Sequence, residues 1–250
     1  MKILIVYATA GAGHKKAAEA LRDGLKGSGH EVVYLDVLEY TNPIYRYSYA
    51  RGYTLLVKYL PLVWAVFFGF LDFPWMKPVL VHFRRFYNMI NACAFQKYLK
   101  QEQFDCIFST HFMPNEVSAY LKRTGQIRSK IICCVTDFDV HRIWISRGID
   151  CYTVASLYTR EKIISLGVDP MDVYVTGIPV NEKFSSHKNR AELKQKLGIR
   201  DGVLTVLIAT GSFGFGPIEE VVSRLQGVQV LVVCGHNKAL YERMNARAMP

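Results

Sequence analysis

Apolar, β-branched runs recur at residues 3–7, 32–37, 106–109, 131–136, 151–155 and 173–176, and helical periodicity fills most of the intervals. Runs this short and continuous predict strands covered on both faces. Their alternation with helices predicts a doubly wound, parallel α/β sheet. Ligands of such sheets bind beyond the carboxyl ends of the strands, so the tails after each run are where chemistry is expected. After residues 177–180 the pattern breaks. A polar stretch at 181–200, with a short helical pattern at 190–197, predicts a linker that closes a first domain spanning 1–180. A second α/β unit then begins, with a strand at 203–209, a glycine-rich turn at 211–216, a helix at 218–225 and a strand at 228–234. Two strands and two helices are fewer than a doubly wound domain of roughly 100 or more residues uses to cover its sheet. Residues 201–250 are therefore expected to be an incomplete second domain, truncated at Pro250.

Between the second and third strands lies a connection, residues 44–100, too long for a simple crossover and expected to be helical. It changes the picture of the charge. Of a net charge of +10, most is concentrated here, where eight Lys/Arg face a single acid, Asp72, among half of the chain's aromatic residues. Residues 60–71 form an apolar run shorter than the roughly 20 residues that cross a bilayer. Such a run suits the interface instead: Trp64, Phe67, Phe68 and Trp75 at the headgroup boundary, with Arg84 and Arg85 toward an anionic leaflet. The alternative is a helical cap with an aromatic core and a solvated cationic rim. Interleaved aromatics and cations also suit nucleic acid, but an unbroken apolar run fits a hydrated groove poorly.

Six cysteines (Cys93, Cys106, Cys133, Cys134, Cys151 and Cys234) lack C-x-x-C spacing and fall mostly in apolar runs. They read as reduced core thiols of a cytoplasmic protein, and no cysteine or histidine pair has metal-ligand spacing. Met1-Lys2 leads straight into the first strand, leaving no signal-peptide pattern.

The first tail, Ala10-Gly11-Ala12-Gly13-His14-Lys15-Lys16-Ala17-Ala18, is a glycine-paired turn opening a helix. Gly11 and Gly13 are expected to allow a tight bend and close backbone approach, and a helix start offers unpaired N–H groups to a polar ligand. Lys16 occupies the third-glycine position of the dinucleotide fingerprint, and the phosphate-loop pattern cannot be laid over this segment. His14 adds a titratable ring at the mouth of the turn. The plain alternative is a structural turn with His14 as a cap.

Four further segments follow in order: Ser109-Thr110-His111-Phe112-Met113-Pro114, then Val135-Thr136-Asp137-Phe138-Asp139-Val140-His141-Arg142-Ile143-Trp144, Thr176-Gly177-Ile178-Pro179-Val180, and Gly211-Ser212-Phe213-Gly214-Phe215-Gly216. With the first tail they resemble the monogalactosyldiacylglycerol synthase and processive diacylglycerol glucosyltransferase family, a glycosyltransferase family 28-like group, over essentially the whole chain. The resemblance implies a GT-B fold of two Rossmann-like domains facing a cleft. It implies inverting transfer of a hexose from UDP-glucose or UDP-galactose to diacylglycerol, without metal or other cofactor, on the inner face of the cell membrane. It makes His14 the general base. Gly11, Gly13, His111, Asp137, His141 and Trp144 fall on the acceptor side; Gly211, Ser212, Phe213 and Gly214 fall on the donor side, joined by Gly235 and Asn237 of Cys234-Gly235-His236-Asn237. Read from their residues alone, Asp137 is equally a helix cap, His141 a surface residue, Trp144 a core residue and His111 part of a turn. The lipid-linked N-acetylglucosaminyltransferase of peptidoglycan synthesis and a non-catalytic lipid-surface module are the competing functions.

Overall fold

A computed structural model describes residues 1–9, 12–49, 52, 60, 62–63, 77–186 and 188–247. The chain divides into two compact units, Met1–Ser185 and Ser186–Pro250. In the first, strands β1 (Lys2–Tyr7), β2 (Glu31–Asp36), β3 (Cys106–Ser109), β4 (Lys130–Cys134), β5 (Cys151–Val154) and β6 (Val173–Val175) form one parallel sheet. Their order is β2-β1-β3-β4-β5-β6. The strand sequence reverses direction between β1 and β3, which makes the ends of those two strands the switch point where such sheets open a crevice.

Alternation along β1 shows why the sheet is covered twice. Leu4, Val6 and Ala8 join a cluster with Phe95, Leu99, Ile107, Val117 and Leu121, whereas Ile3, Ile5 and Tyr7 pack with Ala18 and Cys106. The first cluster lies under helices α2 (Lys77–Asn91), α3 (Cys93–Glu102) and α4 (Phe112–Arg123); the second lies under α1 (Ala12–Gly24). Each fully buried aliphatic side chain contributes about 1.5–3 kcal/mol. A third cluster, built on Tyr152, Val154, Trp144 and Ile163 of α5 (Leu157–Ser165), carries the β4–β6 side.

Several strands end a residue or two before their apolar runs do. The run predicted to 136 leaves the strand at Cys134, because Val135 and Thr136 turn into the loop beyond it. Residues 43–49 are helical, as is most of 77–102, in the long connection.

The second unit holds α6 (Arg190–Lys196) and parallel strands β7 (Thr205–Ala209) and β8 (Gln229–Val233), followed respectively by α7 (Ile218–Arg224) and α8 (Lys238–Arg247). The loops after β7 and β8 clasp each other through backbone. His236 N–H donates to the Ser212 carbonyl at 2.8 Å, and the Asn237 side-chain amide adds a bond to the Gly214 carbonyl at 3.1 Å. A Cβ on Gly214 would lie 2.2 Å from the Cys234 carbonyl oxygen, and one on Gly235 would lie 2.3 Å from that of Ser212. Both glycines also have positive φ, so neither position admits a side chain without moving the other loop.

Gly227 supplies the control for this clasp, since it too has positive φ but nothing within 4 Å of a built Cβ. In denaturant titrations, Gly235→Ala is expected to destabilise the second unit by on the order of 2 kcal/mol or more, and Gly227→Ala by about 1 kcal/mol. Equal losses would show that strain at φ, not contact between the loops, sets the cost.

Candidate active site

Three neighbouring strands converge at the switch point. The first turn of α1, which follows β1, supplies His14; the tail of β3 supplies Thr110 and His111; the tail of β4 supplies Thr136 and Asp137. Thr110 N–H donates to the Val6 carbonyl at 3.1 Å, extending the β1–β3 pairing one step beyond the strands. That bond aims the Thr110 carbonyl at His14, whose Nδ1 lies 2.7 Å away. Thr110 Oγ1 donates to the His14 carbonyl at 2.9 Å, so the same residue grips both the backbone and the ring.

A carbonyl oxygen only accepts, so His14 Nδ1 is the nitrogen that carries hydrogen. Thr136 Oγ1, 2.9 Å from Nδ1, shares that proton as a second acceptor. In the neutral ring Nε2 then keeps its lone pair. Burial pushes the His14 pKa down, while the Thr110 carbonyl and the Asp137 carboxylate pull it back up, and burial prevails. A half-buried imidazole that is neutral at pH 7, with one nitrogen anchored and the other basic, can take a proton from a hydroxyl.

His111 stands behind this ring. It is 1% exposed, meets His14 edge-on at 4.8 Å between centroids, and caps α4 by accepting the Met113 N–H at Nδ1. Its Nε2–H therefore points to Tyr49 Oη, 3.3 Å away. Burial, with the neighbouring His14, drives its pKa well below the ordinary value. His111 is thus a neutral wall of the site, not a solvent-facing ligand group.

Trp144, also 1% exposed, packs 6.0 Å from the His14 ring and donates its indole N–H to Asp137 Oδ2 at 2.8 Å. The core reading of Trp144 and a place beside His14 hold together, while Asp137 is held by the indole and caps no helix. His141 caps the 3-10 turn Arg142–Trp144 by accepting the Ile143 N–H. Gly13 corrects its expectation: it sits inside α1 without positive φ, and nothing lies within 4 Å of a Cβ built there. A helical backbone that any residue adopts leaves open space beside His14, so no tight bend requires glycine. Asp36 closes the turn after β1 by accepting from Thr9 N–H and, at 2.5 Å, from Thr9 Oγ1. Its carboxylate is committed to that turn.

In the second unit, Gly214, Gly235 and Asn237 are occupied by the loop clasp, Asn237 Oδ1 also accepting the Leu240 N–H. Gly211 carries positive φ, Ser212 gives its carbonyl to the clasp, and Phe213 stacks on Phe215 at 5.5 Å. Gly11, Trp64, Phe67, Phe68 and Trp75 lie outside the described residues. Arg84 turns inward onto Glu116, correcting its placement on an outward rim, and Arg85 lies 6.0 Å over the Tyr120 ring.

Residue types did not mark three other features: the anchoring role of Thr110 and Thr136, the Glu116 carboxylate, and an exposed stripe on α2. Phe83, Phe86, Tyr87 and Ile90 follow i, i+3, i+4, i+7 spacing and all face solvent, Phe83 and Phe86 at 66% and 65%. That spacing was a legible sign of an apolar face, though not of its being uncovered.

A family model described as monogalactosyldiacylglycerol (MGDG) synthase matches residues 14–180, more than half of the chain. The chain belongs to the monogalactosyldiacylglycerol synthase family. Its match runs from His14 itself to the last segment of the first unit. The chain is 30% identical over 263 residues to the processive diacylglycerol beta-glucosyltransferase of Bacillus pumilus (strain SAFR-032), taking in 98% of this chain and 63% of that one. With the protein of the same description from Bacillus subtilis (strain 168) it shares 28% over 254 residues, 98% of this chain and 64% of the other. The chain thus spans less than two thirds of these relatives. Acinetobacter baumannii MurG superposes with a TM-score of 0.54 at 15% identity, over 100% of this chain and 63% of that structure. At that identity the likeness concerns fold: Rossmann-like and of the GT-B type.

Long-range proton–nitrogen NMR on the histidine rings tests the hydrogen-bond assignment. His14 is expected as the Nδ1–H tautomer and His111 as the Nε2–H tautomer, both neutral at pH 7 with His14 titrating below 6.5. A proton on His14 Nε2 at neutral pH would remove it as a base.

Proposed function

We propose that this chain carries the acceptor side of a glycosyltransferase that moves a hexose from a UDP-sugar to diacylglycerol at a membrane surface. The supporting observation is the single orientation in which Thr110 holds His14, leaving Nε2 as a base at the sheet's switch point. In the reaction, Nε2 takes the proton of the acceptor hydroxyl as its oxygen bonds to the anomeric carbon and the bond to the UDP oxygen breaks. The Asp137 carboxylate then stabilises the imidazolium, as its effect on the His14 pKa implies. The relatives' descriptions name diacylglycerol as acceptor and glucose as the transferred sugar, and family membership brings that chemistry to this chain as the reading to test.

Membrane contact rests on α2. Its stripe of Phe83, Phe86, Tyr87 and Ile90 exposes apolar surface within a segment, 44–100, that holds eight Lys/Arg against one acid. An apolar face within a cation-rich segment fits an anionic lipid surface, where each cation near the surface adds on the order of 1 kcal/mol. Among the described residues no helix is long and apolar enough to cross a membrane. The contact proposed is therefore one lying along the surface.

The decisive assay supplies the purified protein with labelled UDP-glucose or UDP-galactose, with and without diacylglycerol in anionic vesicles. Acceptor-dependent transfer is expected, and His14→Ala is expected to lower kcat by roughly 10²–10⁴-fold. Full activity in that variant, or no acceptor-dependent product from the parent, would sink the mechanism. The acid limb of kcat/KM is expected below pH 6.5, since activity is lost as His14 gains its proton. Asp137→Asn removes a charge that raises this pKa, so its acid limb moves lower still. Separately, Phe83→Ser with Phe86→Ser is expected to weaken sedimentation with anionic vesicles by about tenfold or more.

A further inference from the structure

Glu116 on α4 is 3% exposed and lies among apolar helices. A carboxylate so placed must be fully partnered, and three donors meet it. Arg84 approaches side-on, Nε to Oε2 at 2.9 Å and Nη2 to Oε1 at 3.1 Å, and the Asn88 amide donates to Oε2 at 2.8 Å. Asn88 is itself met by Tyr45 Oη at 3.3 Å. The remaining guanidinium nitrogen, Nη1, donates to the Ile143 carbonyl at 3.3 Å. One planar fork thus joins α2, α4 and the 3-10 turn Arg142–Trp144.

The two ends of this junction differ in kind. Arg84 and Asn88 occupy the inner side of α2, whose other side carries the exposed stripe at 83, 86, 87 and 90. Ile143 immediately precedes Trp144, whose ring flanks His14 and whose indole holds Asp137. The guanidinium is therefore a direct polar link between the face proposed to rest on lipid and the residues beside the proposed base. Packing alone gives no reason for an ion pair here, because well-packed apolar side chains of similar volume are often as stable or more so. A rigid fork that holds a carboxylate and a carbonyl in one plane is what arginine supplies and neither lysine nor an apolar residue does.

We infer that Arg84 and Glu116 are positioning residues that couple seating of α2 on an anionic lipid surface to the placement of Trp144 and Asp137 around His14. This rests on the reading of α2 as the lipid-facing helix of a diacylglycerol glycosyltransferase. Lipid contact fixes the helix, the fork carries its position to Ile143, and the acceptor wall is held in this arrangement while the surface is engaged.

The test uses Trp64→Phe and Trp75→Phe together, so that Trp144 is the sole tryptophan of the chain, with vesicles of phosphatidylglycerol and phosphatidylcholine as the probe. Vesicle addition is expected to change the Trp144 emission although that ring is buried. In Arg84→Met with Glu116→Leu, an apolar pair chosen to keep the fold, vesicle sedimentation is expected to persist while the emission change disappears. Arg84→Lys, which keeps the charge but not the fork, is expected to lose the change as well. No response of Trp144 in the parent background, or the same response in the apolar pair, overturns the inference. A kinetic arm adds the reaction: with diacylglycerol in vesicles the apolar pair is expected to lose about tenfold or more in kcat/KM, against little change on a monomeric short-chain diacylglycerol. Parallel losses on both acceptors would mean a structural role only and would overturn it too. If the parent transfers no hexose, the proposed reaction fails, and the fluorescence arm still decides the coupling.

Discussion

The Thr110 carbonyl is the group on which the site turns. It belongs to a residue one step past β3, locked by its own N–H to Val6 of β1, and it receives His14 Nδ1 at 2.7 Å. Because β1 and β3 are neighbours in a parallel sheet, their ends arrive at the same edge. Because the chain leaves them toward opposite flanks, a crevice opens at their ends. The histidine must follow β1 and its anchor must follow β3 for the ring to be held at all. Swapping either to another strand end would place the partners at least one strand spacing, about 4.8 Å, farther apart.

The same edge explains why polar groups are buried here at small cost. Ser109, Thr110 and His111 are all buried, and their partners are mostly backbone groups left over where strands end and α4 begins. A strand end and a helix start both leave unpaired backbone atoms, and short polar side chains in the intervening residues meet them. His111 is the clearest instance, since the nitrogen that caps α4 also fixes its tautomer and leaves the ring neutral beside His14.

Much of this was legible in the chain. Continuous apolar runs gave six strands of the first sheet, with errors of a residue or two where Val135 and Thr136 peel away toward the site. His14, Asp137 and Trp144 were marked by their positions after strands, and the fold brings them together. What escaped was set by partners distant in sequence. Thr110 and Thr136 act on His14 from 96 and 122 residues away. Glu116 looked like an ordinary helical acid, and only the arrival of α2 makes it the buried end of a three-element junction. Gly13 misled in the other direction, because glycine suggested a bend where the backbone is plain helix. In the second unit, the resemblance put Gly214 and Gly235 on the donor side, and the fold adds a reason for glycine that depends on distant partners, since each makes room for the other loop's backbone.

The balance of forces on His14 has a further consequence for the proposed reaction. Burial lowers its pKa and the Asp137 carboxylate raises it, but Asp137 is exposed, so water screens its charge in the open site. The Coulomb energy between two charges scales inversely with the effective dielectric, about 1 kcal/mol at 4 Å in water and several-fold more near a protein surface. In the proposed reaction an acyl-chain-bearing acceptor settling over Asp137 would displace that water. The ring, neutral and ready to accept a proton before binding, then meets a strengthened carboxylate as it becomes cationic. Trp144, by holding Asp137 through the indole N–H, keeps that carboxylate from turning away to solvent. In the proposed reaction the Thr110 carbonyl and the Asp137 carboxylate thus offset part of the burial cost of the imidazolium as the acceptor hydroxyl loses its proton.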